Sequence, residues 1–157
     1  MSVFISLILF SLVIVFTPYF LNKDITYLIN IPSAMIVFPV TYFFAIGIVT
    51  AKQGNMALKS VFHLERLNQT QLENSKVFFK ICGDLSIAIG IIGVFIGLVA
   101  MAHYVWDEPK AFGSALAVCI LTILYGLWAK LPFYVLEQKC EFLLESIAST
   151  QTKTEHF

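Results

Sequence analysis

Four stretches of the chain hold no Asp, Glu, Lys or Arg: residues 1–22, 25–51, 85–106 and 111–129, together 90 of 157 positions. Each is close to the ~20 mostly apolar residues that a helix needs to cross a bilayer. Soluble domains carry about 25% charged residues. This chain carries 13%, and 59% of it is hydrophobic. That pattern excludes a soluble enzyme, a nucleic-acid reader and a disordered tail. Membrane strands alternate their two faces over about 10 residues. These runs are apolar on every face for twice that length, so helices are what satisfies their backbone in lipid. The expectation is an all-α integral membrane protein forming a single membrane domain over 1–157. It has four transmembrane helices at about 3–21, 28–51, 77–104 and 112–136, with helical extensions into the cytoplasm.

The rest of the chain is short connections. Lys+Arg and Asp+Glu balance at 10 each, so no field calls for a nucleic-acid partner. No basic residue precedes the first apolar run and no small-x-small site follows it, so it reads as a retained span rather than a cleaved signal. Asn22, Lys23 and Asp24 make a short loop to the second run, where Pro32 is expected near the helix start and Pro39 to bend it. Residues 52–76 are too few for an independent core. Helical spacing of Leu58, Val61, Leu64 and Asn68 predicts a helix prolonging the second span over 56–67, followed by a turn at 68–75. Asp107, Glu108, Pro109 and Lys110 form a polar turn. Glu137, Lys139, Glu141 and Glu145 open a tail, 137–157, that prolongs the fourth helix. The middle segment and tail hold seven basic residues (Lys52, Lys59, Arg66, Lys76, Lys80, Lys139, Lys153) against Lys23 and Lys110 in the short loops. The positive-inside rule therefore puts both termini and the middle segment in the cytoplasm.

Two of the apolar runs carry stripes of small residues. Gly83, Ser86, Gly90, Gly93, Gly97 and Ala100 are spaced alternately by three and four, which holds one helix face. Gly93-x-x-x-Gly97 is a close-approach pattern of membrane helix pairs. Ala115, Cys119, Thr122, Gly126 and Ala129 form a comparable stripe. Such stripes pack tightly, either with each other or around a common partner helix. The cysteines Cys82, Cys119 and Cys140 have no CxxC or metal-ligand spacing and read as small buried apolar residues. No metal site, cofactor or catalytic residue is expected.

The glycine-rich run through Gly90, Gly93, Gly97 and Met101, the Asp107-Glu108-Pro109 turn, Gly113, and the alanine-rich run ending Thr122-x-x-Tyr125-Gly126 follow in one order. This region, about 83–132, resembles the signature of the MotA/TolQ/ExbB family, the multispan subunits of ion-driven motors. The resemblance implies a homo-oligomer, a pentameric collar, in the bacterial inner membrane. It would surround a single-span MotB/ExbD/TolR-like partner whose carboxylate carries a transported proton or sodium ion. The partner-helix and ion-path face would be Gly90, Gly93, Val94, Gly97, Ala115, Cys119, Thr122, Ile123 and Gly126.

The sequence departs from that family at specific positions. Val94 and Ile123 stand where many members carry Thr, and a branched hydrocarbon neither coordinates an ion nor holds a water chain. Ile87 replaces a family proline, and the cytoplasmic loop is reduced to 52–76. Asp84 and Lys130 are a possible charged gate. Asp84 lies at the cytoplasmic end of the third span with Lys80 and Lys130 in reach, whereas Lys130 has snorkelling as its plain alternative. For Thr122 the alternatives are a residual ion ligand or a hydroxyl bonded to its own helix. His63 and His103 read as solvated. Three functions stay open: a conducting motor subunit, a non-conducting scaffold of the same fold, and a small membrane enzyme. The third lacks a CxxC, a His pair and paired intramembrane carboxylates.

Overall fold

The computed structural model describes Ile8, Ser11, Leu12, Phe16 and residues 29–104 and 109–154. The remainder of the expected first span, its Lys23–Asp24 loop and the Asp107–Glu108 part of the polar turn lie outside the described residues. Among the described residues the regular structure is helical, with no strand. Among the described residues three helical stretches are long and apolar enough to cross a membrane: Ile31–Ile48, Gln69–Ala102 and Phe112–Ser149.

Helix α1 spans Ile31–Ile48. Asn30 caps it, its Oδ1 accepting the Ser33 N–H at 3.0 Å. Pro32 lies in the first turn, where a missing N–H costs nothing. Pro39 lies inside the helix, which continues to Ile48. Val49 and Thr50 then turn extended, with ψ 138° at both. Their branched side chains suit that backbone better than a helix.

The expected continuation of the second span across 56–67 is therefore broken. A separate helix α2, Ala51–Lys59, follows, and then two single 3₁₀ turns, Ser60–Phe62 and Leu64–Arg66. Folding back lets α2 bury Ala57 and seat Gly54 on the Phe78 ring, 3.0 Å from where a β-carbon would stand. The Tyr42 hydroxyl donates to Asn55 Oδ1 at 2.7 Å and ties α1 to α2.

Helix α3, Gln69–Tyr104, begins where a turn was expected. Asn68 and Gln71 form half of a capping box: the Asn68 N–H donates to Gln71 Oε1 at 3.2 Å. Leu72 and Ser75 are buried on this first stretch, which is why it folds as helix rather than as a solvated turn. Helix α4, Pro109–Thr154, follows antiparallel and is continuous through the described part of the expected tail, to Thr154.

At 1.5 Å per residue α3 and α4 are about 54 and 69 Å long. A hydrocarbon core is only about 30 Å thick, so both project from any membrane they cross. The hairpin is built differently at its two ends. The apolar end is joined by glycines and other small residues. The charged end has a side-chain core of Leu64, Leu72, Phe78, Phe79, Leu136 and Cys140, fenced by the ion pairs Lys76–Glu141 (3.0 Å) and Lys139–Glu65 (3.4 Å). In water, burying large apolar side chains drives association. In lipid it does not, and helices gain by close approach of small residues instead.

Candidate partner-helix and ion-path face

Seven of the nine residues expected on this face meet along the α3–α4 seam, Ile123 through its backbone. A β-carbon on Gly90 would stand 3.3 Å from the Gly126 Cα and 3.5 Å from the Ile123 Cα. One on Gly126 would stand 2.6 Å from the Ser86 carbonyl oxygen. These glycines let two backbones touch. Nearer the Tyr104 end of α3, Gly93 faces the Thr122 methyl and Gly97 faces the Cys119 sulfur. The two small-residue stripes thus pack against each other within one chain. Val94, Ala115 and Ile123 are half-buried on the flanks, while Gly90, Cys119, Thr122 and Gly126 are buried.

Thr122 makes two hydrogen bonds. Its hydroxyl donates to the Val118 carbonyl, one helical turn back, at 2.9 Å. Its oxygen lies 2.8 Å from Ser33 Oγ, in a buried contact. Because the Thr122 proton is committed to Val118, Ser33 is the donor in that pair. One turn further on, the Tyr125 hydroxyl oxygen accepts the Asn30 N–H at 3.0 Å. The Phe38, Tyr125 and Trp128 rings meet in tilted and edge-on contacts, with centroids 6.3–6.5 Å apart. The Thr122-x-x-Tyr125-Gly126 motif therefore works on two neighbours: Thr122 and Tyr125 hold the start of α1, and Gly126 admits α3.

Asn30 and Ser33 were not singled out from the sequence as members of this site. Their spacing is a helix-cap signal, which states that a helix begins but not what the cap leans on.

Asp84 pairs with Lys130, 3.2 Å across the seam. The side chains are 62% and 37% exposed, so the pair sits at the edge of the hairpin rather than inside it. Gly83 packs below it, its absent β-carbon 3.5 Å from Phe133 Cβ. His63 is exposed. Among the described residues no three His, Cys, Asp or Glu side chains gather as a metal site.

Large apolar side chains cover the outside of the hairpin, among them Phe95, Ile96, Val99 and Ile120, all at least 59% exposed. A chain with three such helices and so much outward apolar surface is built as a multi-pass membrane protein.

Curated relatives narrow that class. Chemotaxis protein PomA of Vibrio alginolyticus is 52% identical over 48 residues, 31% of this chain and 19% of the relative. Motility protein A of Borreliella burgdorferi is 36% identical over 99 residues, 60% of this chain and 37% of the relative. Motility protein A of Cereibacter sphaeroides is 44% identical over 59 residues, 37% of this chain and 23% of the relative. No family model matches the chain. The chain spans between a fifth and two fifths of the length of these relatives. These partial matches support membership of the MotA-like family of motility proteins. The relatives are named for motility and chemotaxis, and none for an enzymatic reaction.

Proposed function

We propose that this chain is a membrane subunit of a MotA/TolQ/ExbB-like motor of the flagellar-stator kind, driven by a proton or sodium motive force. It sits in the bacterial inner membrane with both termini in the cytoplasm. Copies of it, five in the family arrangement, form a collar around a single-span MotB/ExbD/TolR-like partner whose carboxylate carries the ion. The observation that supports this reading most is the coincidence of two facts. The relatives are motility proteins, and the Thr122-x-x-Tyr125-Gly126 motif holds a glycine-seamed hairpin to α1. A hairpin seamed by glycines, tied to α1 and apolar on its outside suits a subunit that packs among other membrane helices.

The test is a proton- or sodium-flux assay on vesicles from cells co-expressing the chain and such a partner. Flux is expected, and replacing the partner's intramembrane Asp by Asn should abolish both flux and motor function. Motor function that persists with no flux overturns the conducting reading.

One observation favours a second reading, a non-conducting scaffold of the same fold. Thr122 is the hydroxyl left on the α4 face, and it already donates to Val118 and pairs with Ser33. Val94 and Ile123 beside it offer only hydrocarbon. On this reading Val94→Thr with Ile123→Thr gains flux, and only with a partner present. A wild-type pair that already conducts ends it.

A further inference from the structure

The start of α1 has its polar side chains paired, but its middle does not. Thr41 is 3% exposed, and its hydroxyl has no hydrogen-bond partner among the described residues. A buried threonine in a helix ordinarily donates to the carbonyl one turn back, as Thr122 does to Val118. Thr41 instead lines a cavity of about 40 Å³ where α1, α2, α3 and α4 converge, with Tyr42, Phe78, Cys82, Ala129 and Phe133 among its walls. A single water needs ~10–15 Å³ for its centre and two or more polar partners. The Thr41 hydroxyl can donate and accept, and the buried Cys82 thiol can do both weakly. The Tyr42 hydroxyl is spent on Asn55.

We propose that this cavity is a structural water site, with Thr41 Oγ1 as its principal ligand and the Cys82 thiol as its second. A bound water completes the hydroxyl that the protein leaves unpaired. It also fastens α1 to the hairpin at the level where the glycine seam gives way to the side-chain core. Ser33–Thr122 and Tyr42–Asn55 already fasten α1 directly above and below. The site is independent of the motor reading.

The experiment compares full-length wild-type, Thr41→Val and Thr41→Ser proteins in lipid nanodiscs. Valine keeps the shape of threonine and removes the hydroxyl. If the hydroxyl holds a water, valine removes that water's principal ligand, empties the site and lowers the unfolding midpoint by about 2–4 °C, while serine stays near wild type. If the hydroxyl is bare, valine removes an unpaired polar group, and the midpoint stays or rises. A second measurement does not depend on stability: water-edited solid-state NMR of the wild-type protein in vesicles. Polarisation should pass from water to Thr41 despite its burial, and the Thr41→Val protein should lose that transfer at position 41. A midpoint unchanged or raised in the valine variant, or no transfer from water to Thr41 in the wild type, overturns the proposal.

Discussion

Adding one methyl group at Gly126 should loosen the hairpin, and the same addition at Gly113 should not. At Gly126 the new β-carbon would lie 2.6 Å from the Ser86 carbonyl oxygen and 3.3 Å from the Gly90 Cα. Both obstacles are backbone, so no side chain can rotate away. Ordinary contact begins near 3.4 Å, so α3 and α4 must part locally by about 0.8 Å, a gap that forfeits a quarter to a half of each contact's dispersion energy along the seam. Overpacking of this kind costs about 1–3 kcal/mol, and immovable backbone on both sides argues for the upper half of that range. Helix propensity works the other way, Ala being better than Gly by about 1 kcal/mol. A β-carbon at Gly113 meets nothing within 4 Å, so there only the propensity gain remains. Comparing Gly126→Ala with Gly113→Ala cancels propensity and leaves the clash. The difference should be about 2–3 kcal/mol, roughly 30- to 160-fold in the unfolding equilibrium. Equilibrium unfolding of both variants in nanodiscs, followed by circular dichroism, measures it. Equal stability of the two, or a Gly113→Ala protein that loses as much as Gly126→Ala, refutes the seam.

Three further outcomes follow from the same geometry. A β-carbon at Gly97 would stand 3.8 Å from Cys119 Cβ, the usual Cβ separation in a disulfide. Mild oxidation of Gly97→Cys should therefore form a bond within one chain, visible as a mass loss of two hydrogens with no dimer band; a dimer alone contradicts the pairing. Thr122→Val removes the acceptor of the buried Ser33 hydroxyl and should cost about 1–2 kcal/mol, while Thr122→Ser keeps it; unfolding midpoints of the two variants separate the cases. Asp84→Asn should change stability by less than about 1 kcal/mol, because its pair with Lys130 is exposed. If Asp84 is a gate rather than a surface partner, motility or flux fails in that variant at full expression and stability, which a swarm or flux assay reads directly.

Length and charge were enough to expect long apolar helices where α1, α3 and α4 run, because lipid leaves a long apolar run one way to satisfy its backbone. The same reasoning misplaced the middle segment. From the spacing of Leu58, Val61 and Leu64 a single continued helix over 56–67 looks natural. The chain breaks at Val49–Thr50 because folding back buries Ala57 and Leu64 against Phe78 and Phe79, a gain that depends on residues more than ten positions away. Asn68–Ser75 looked like a turn because it is polar. It is helix because Leu72 joins that same core and Ser75 is buried on the same stretch. The pairing of Asp84 with Lys130 was one of two partners the sequence allowed, and only the register of α3 on α4 selects it.

The small-residue stripes show most clearly where the two kinds of information divide. By itself the sequence determined that these helices are apolar, that each carries one face able to approach another backbone closely, and which residues lie on it. Those are properties of a single helix, set by composition and a 3.6-residue period. What the face approaches is a property of two helices. Tertiary structure decided that Gly90 meets Gly126, that Gly97 meets Cys119, and that Thr122 spends its hydroxyl on Val118 and Ser33. The physical reason is that in lipid the pairing is chosen by fit at van der Waals distance, and fit belongs to both surfaces at once.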